Sequence, residues 1–442
     1  MVSRALGRNP SGRPVSAGDV RRRARDRSQE VAPQAELRML FIVSEVYYPE
    51  EAGTAHYMTG IADGLAKGAA VRVICAKPKY DRRWEGLPTK ENHNGVQIHR
   101  CWATTFDKNH LGGRIANVYT ASFSIFFAIL RMVRKGDKVL VVTSPPLLPF
   151  VVAVACCLRG AKWILRIDDV YPEAMIHAGI LRPGGIAARF IDWMNRTLYR
   201  RTEKIIVIGR DMKRLVEKKL GGRNGPILLI PNWADVDSVV PCERCENRLL
   251  RELGLERKFV VGYAGNIGRV QGVEALFATA LRMKELDDVQ FLFVGSGQKT
   301  AWLKQAIAGA QLKNITLVGQ RPRSEQSDFL NSCDIAVVPL VRGMGGAGVP
   351  SRLYNVMAAG KPVIASVDHD SETALVVREQ DIGWVVAPEE PAEMARAIIE
   401  ARSAPDRLAE MGRRARKVAE DKYSRPRILA QYQHLLLSQR PE

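Results

Sequence analysis

The chain has 442 residues, 46% of them hydrophobic and 26% charged, with a formal net charge of +19. That length exceeds one hydrophobic core, and the balance excludes fibrous and wholly disordered classes. The positive excess invites an anionic partner, yet no zinc-finger or ribonucleoprotein signature accompanies it, which places nucleic acid last.

Residues 1–36 carry a run of arginines from Arg4 to Arg27 with little apolar material between them. Such a segment buries too little surface to fold and is expected to be a disordered basic tail. It is either a solvated extension or a tether to anionic lipid headgroups. Seven cysteines and no apolar leader-like run near the start predict a reducing, cytoplasmic compartment. The pair Cys242 and Cys245 lacks the second pair that a metal centre requires.

From Met39 onward, short apolar runs alternate with amphipathic helical stretches. The first half offers strands at Met39–Val43, Val71–Cys75, Val139–Val142, Trp163–Ile167 and Ile205–Ile208. The second offers Ile227–Ile230, Val260–Tyr263, Phe291–Val294, Ile315–Val318, Ile335–Val338 and Val363–Ala365. Continuous apolar strands separated by helices mean parallel sheets covered on both faces, hence two doubly wound α/β domains of five or six strands each. The glycine cluster at Leu220–Pro226 predicts the boundary. The expected layout is a tail over 1–36, domains over 37–222 and 223–406, and a last segment over 407–442, helical and amphipathic, crossing back to the first domain. The apolar run Val139–Leu158 is broken by Pro145, Pro146 and Pro149 and reads as strand, turn and helix. Val118–Val133 reads as one apolar helix flanked by Arg131, Arg134 and Lys135; an interfacial helix and a buried one share that composition.

In parallel α/β sheets, ligands bind at the carboxyl ends of the strands, so the loops there are the candidate sites. After the first strand, Tyr47–Thr54 contains Gly53, which permits close backbone approach at a helix start. A second glycine loop runs through Gly265, Asn266, Arg269 and Gln271; it suits a diphosphate but lacks the P-loop ending. A third, Gly343–Asn355, places Ser351 and Arg352 in a helix's first turn. A cation is disfavoured there unless something negative holds it. Asp368, Asp370 and Glu372 follow another strand and either accept bonds from sugar hydroxyls or cap the next helix. Asp168 and Asp169 end a first-half strand and point to opposite faces, so one of them enters a cleft.

With Ile167–Glu173 and Ile230–Asp235, these loops resemble family 4 retaining glycosyltransferases, nearest to the subgroup building colanic-acid, O-antigen and exopolysaccharide units. The resemblance covers residues 38–437. It implies a GT-B fold, two Rossmann-like domains facing a central cleft, with an N-terminal acceptor domain and a C-terminal nucleotide-sugar domain. It places Gly265, Asn266, Arg269 and Gln271 along the diphosphate, with Arg352 paired to it. The broader family has Arg at Asn266, Lys at Gln271, and a glutamate pair at Ala347 and Asn355. Asn355 is then expected at a ribose hydroxyl, and Glu372 as the replacement carboxylate. Asp169 is the expected cleft-facing catalytic residue, with Glu173 as the alternative. The implied reaction uses a nucleotide-diphosphate sugar, UDP-sugar favoured, without metal or cofactor. The implied acceptor is a polyprenyl-diphosphate-linked saccharide at the inner membrane surface. A nucleotide-sugar 2-epimerase and a non-catalytic nucleotide-sugar binder are the competing expectations.

Overall fold

The computed structural model describes residues 39–78, 86–106, 111–222 and 225–437; the basic tail lies outside them. In chain order the first half runs β1 (Leu40–Val43), α1 (Gly53–Ala66), β2 (Val71–Ala76), β3 (Lys90–His93), β4 (Val96–Cys101) and α2 (Leu111–Met132). It continues through β5 (Lys138–Val142), α3 (Leu148–Arg159), β6 (Lys162–Ile167), α4 (Glu173–His177), α5 (Ile186–Arg201), β7 (Lys204–Val207), α6 (Arg210–Leu220) and β8 (Ile227–Leu229). These strands form one eight-stranded sheet in the order β3-β4-β2-β1-β5-β6-β7-β8. All neighbours are parallel except β3 and β4.

The second half holds α7 (Arg248–Leu253), β9 (Phe259–Ala264), α8 (Val273–Arg282), β10 (Val289–Val294), α9 (Thr300–Gly309) and β11 (Ile315–Val318). After these come α10 (Gln326–Asn331), β12 (Ile335–Pro339), α11 (Arg352–Ala358), β13 (Val363–Ser366), α12 (Glu372–Glu379), β14 (Gly383–Val386) and α13 (Pro391–Arg402). Its six strands are parallel in the order β11-β10-β9-β12-β13-β14. Two helices close the described chain, α14 (Pro405–Tyr423) and α15 (Arg425–Leu437).

Alternate residues of each strand feed opposite cores. Leu40, Ile42, Leu140 and Ile164 pack with Ile61 and Leu65 of α1, whereas Phe41, Val139, Val141 and Leu165 pack with α2, α3 and α5 on the other face. Helix ends are set locally: Asn247 and Ser371 cap α7 and α12 by accepting from Leu250 and Ala374 N–H. Gly360, at φ +64°, stops the chain after α11 in the left-handed region open to glycine.

Three expectations need correction. The sequence places Ile227–Ile230 in the second domain, but β8 pairs with β7, Ile205 opposite Ile227. The boundary therefore lies after β8 rather than at Leu220–Pro226. Strands β3 and β4 extend the first sheet beyond the expected five or six; β3 reads Lys-Glu-Asn-His, an exposed edge strand without an apolar run. The last segment is two helices, broken at Ser424, whose backbone is extended with ψ 145°. Helix α14 packs on the second domain through Ala415 and Ala419. Helix α15 crosses back, burying Ile428, Tyr432 and Leu436 in the first domain's core.

The two crossings between domains lie side by side. Ala234 N–H donates to Tyr423 O at 2.7 Å, and Ala234 bridges Ser424 in parallel.

Candidate active site

A cleft of about 680 Å³ lies between the two sheets' carboxyl edges, where the strand-end rule places it. The first domain supplies Glu51, Gly53, Tyr57 and Asp169. The second supplies Gly265, Asn266 and Gln271 after β9, Gly295–Gly297 after β10, and Ser351, Arg352 and Asn355 at α11.

Glycine geometry makes the second wall. Gly265 has φ +146° and Gly295 φ +141°. A Cβ on Gly295 would fall 2.0 Å from Gly265 O, so the loops after β9 and β10 touch backbone to backbone. The Arg352 guanidinium lies beside Gly265, 4.7 Å from the Tyr263 ring centroid. Its Nη1 is buried without a hydrogen-bond partner. A cation at a helix start, held over a ring and without a carboxylate partner among the described residues, can meet an anion in the cleft. Gln271 Oε1 is likewise buried and unpartnered.

Opposite stands Asp169. Its neighbour Asp168 accepts from Arg166 Nε at 2.9 Å, and Arg166, itself buried, also donates to Tyr432 Oη and Asn232 Oδ1. Asp168 is thus spent inside the first domain, which leaves Asp169 to line the cleft. Burial, and then the Asp168 charge, push the Asp169 carboxyl up to about 7.

Backbone joins the two walls directly. Asp169 and Gly348 form an antiparallel bridge, and Val170 N–H donates to Ala347 O at 2.8 Å.

Several expected residues sit elsewhere. Arg269 is exposed, donates to Gln298 at 3.1 Å and does not line the cleft. Glu173 pairs with Lys219 at 2.6 Å inside the first domain. Glu372 is buried but spent on Arg210, accepting from its backbone N–H at 2.7 Å and Nε at 2.9 Å. It fastens α12 to α6 instead of replacing a ligand carboxylate. Asn355 lines the cleft, yet its Oδ1 accepts from Asp235 N–H at 2.9 Å, leaving its amide N for a ligand. Asp368 accepts from Gly343 and Gly345 N–H, which orders the glycine loop from behind.

Arg321 and Arg323, directly after β11, line the cleft as well, outside every loop the sequence marks as a candidate. Arg323 donates to Asp235 at 2.7 Å, and the other Asp235 oxygen lies 3.0 Å from His56 Nε2. Burial alone would raise the Asp235 carboxyl; His56 and Arg323 outweigh it and hold the group well below the usual range. The strand-end rule could have found both arginines, but their loop carries no glycine pattern.

The comparisons with known proteins decide the family. Residues 52–233 match the glycosyl transferase 4-like domain and residues 247–418 the glycosyl transferases group 1 family. The probable glycosyltransferase WbjE of Pseudomonas aeruginosa is 32% identical over 319 residues, 72% of this chain and 78% of its own. The chain is a family 4 glycosyltransferase. The putative colanic acid biosynthesis glycosyl transferase WcaI of Escherichia coli is 25% identical, covering 74% of this enzyme and 82% of its own length. Among solved structures, a sucrose-phosphate synthase from Thermosynechococcus elongatus superposes with a TM-score of 0.71 at 18% identity, covering 90% of this chain and 98% of that one. Anabaena HepE in complex with UDP-glucose gives 0.69 at 16%, covering 90% and 99%. Those likenesses establish that the glycosyltransferase has the GT-B fold, its cleft being the interdomain cleft of that architecture.

Proposed function

We propose that this glycosyltransferase moves a sugar, with retention, from a UDP-sugar to a polyprenyl-diphosphate-linked saccharide during cell-surface polysaccharide synthesis. It would work as a peripheral protein on the cytoplasmic face of the membrane, with α2 against the lipid. The observation that carries the reading is Arg352, half-buried beside the Gly265 loop with its Nη1 buried and without a partner, lining the same cleft as Asp169. The relative named for colanic acid biosynthesis and the neighbour holding UDP-glucose support the acceptor pathway and the nucleotide.

In the reaction, an acceptor hydroxyl oxygen bonds to the anomeric carbon while the bond from that carbon to the diphosphate oxygen breaks. The electron pair leaves with UDP. Arg352 and the Asn355 amide N meet that charge, preorganised and costing no reorganisation. Asp169 orients the acceptor hydroxyl and takes its proton. The scheme asks for no metal, so turnover in excess EDTA should equal turnover in magnesium.

The test is thermal stabilisation by UDP, GDP and dTDP, followed by turnover of the preferred donor on a lipid-linked acceptor. UDP should raise the melting temperature most. Arg352→Ala should lower kcat about 10²–10³-fold, the range for losing one preorganised donor. Unchanged kcat in that variant, or no stabilisation by any nucleotide, defeats the reading.

A further inference from the structure

Outside the cleft, the largest unexplained feature of the described residues is an apolar outer face on the first domain. Helix α2 turns Ile115, Tyr119, Phe123 and Phe127 to solvent, spaced four apart, and Phe127 is 63% exposed. The same helix buries Ala121, Ile125 and Ile129 against the sheet, so it lies flat on the domain and cannot leave to span a bilayer.

The stripe does not end with α2. Val154 and Leu158 of α3 are exposed, as are Ile186, Phe190 and Trp193 of α5. Ile186 is 90% exposed, and the Phe190 and Trp193 rings stack at 5.9 Å. Inward residues of all three helices share one core cluster with the same face of β1, β5, β6 and β7. The three helices therefore form one layer, and their outward residues share its outer surface. At about 1.5 Å per residue, 22-residue α2 alone is ~33 Å long. Soluble surfaces scatter large apolar side chains; continuous faces of this kind mark interaction sites.

Charge selects the partner. Each of the three helices connects parallel strands and so runs against them, which brings all three C-termini to one edge of the layer. That edge carries exposed Arg131, Arg134, Lys135, Arg159, Arg200 and Arg201. Among the described residues no carboxylate pairs with these six side chains. A second copy meeting this face about a two-fold axis along the helices would oppose like charges, and about an axis across them would leave the six cations without a counter-charge from the layer's own basic edge. An anionic bilayer satisfies both halves: phosphates along the edge, acyl chains under the aromatics.

We infer that the enzyme docks on anionic membrane through the combined outer face of α2, α3 and α5, with the basic edge on the headgroups. The inference deepens the reading of a lipid-borne acceptor and rests on it. At the layer's other end lie the cleft-side start of α2 and, before it, exposed Trp102 and Phe106. Docked this way, the first domain brings the cleft rim down to the lipid, where a saccharide on an anchored diphosphate emerges.

The experiment uses the full chain and vesicles of phosphatidylglycerol carrying brominated acyl chains, which quench tryptophan only on penetration. The wild type should be quenched, and Trp193→Phe should remove part of that quenching. Phe127→Glu with Leu158→Glu should cut vesicle binding at least tenfold while UDP still stabilises the variant. Vesicle binding without quenching would mean that charge alone holds the protein, and would overturn the inference. So would quenching unchanged in the double variant, or self-association of the wild type that the double variant abolishes. Stabilisation by UDP tests the donor reading separately, so the two can fail independently.

Discussion

In the proposed reaction the proton goes to Asp169, whose carboxyl burial and the adjacent Asp168 charge push up to about 7. Below that pH the group is protonated and cannot take a proton; above it the carboxylate is charged and can. The rate at limiting substrate should therefore rise with pH and level off above about 7, and Asp169→Asn should abolish the rise along with most turnover. A variant that keeps the same ascending limb would assign it to another group. Glu173 supplies the contrast. Tied to Lys219 within the first domain, Glu173→Gln should leave the pH profile in place and act on stability alone.

Among elements, α15 completes the first domain's core from the far end of the described chain. Arg166 is almost fully buried, and its Nη1 donates to Tyr432 Oη on that helix. Tyr432→Phe keeps the ring and strands one guanidinium donor, at a cost of about 1–3 kcal/mol. Tyr432→Ala adds a cavity and should cost more, about 3–5 kcal/mol. Both are read from the midpoint of denaturant unfolding, and equal midpoints for the two would show that the ring contributes no packing.

The elements also show where reading residues in order succeeds and stops. Buried parallel strands such as β9 and β12 announce themselves because both faces are covered and every position is apolar. Edge strand β3 does not, since its residues meet water. The three-residue β8 was recognised as a strand, but membership of a sheet is a pairing between distant segments, and a glycine cluster nearby pointed the wrong way. The glycine loops and Arg352 were legible because they obey local rules of backbone shape and helix polarity. Partners were not: nothing near Glu372 in the chain foretells Arg210, 162 positions away, and nothing near Asn355 foretells Asp235.

For the whole molecule, the cleft's width is set by contacts reaching across it. Asp211 of the first domain accepts from Gly346 and Glu372 N–H of the second, at 2.9 and 3.0 Å. Arg210 holds Glu372 and Glu379. Opening the cleft breaks all of these together, so Arg210→Ala should favour the open state. We expect a donor KM raised several-fold with a smaller change in kcat, and scattering in solution that reports a larger radius of gyration. An unchanged radius would place closure under the control of the two interdomain crossings at Ala234 and Ser424 alone.

The return of α15 has a consequence for how the protein is made. Its 13 residues fill a groove in the first domain, yet they are translated after the entire second domain. The nascent first domain must therefore wait, with the α15 groove beside α1 uncovered, until α15 itself has left the ribosome exit tunnel. Only then does its core close, and until that point the emerging chain carries the exposed apolar surface that chaperones bind.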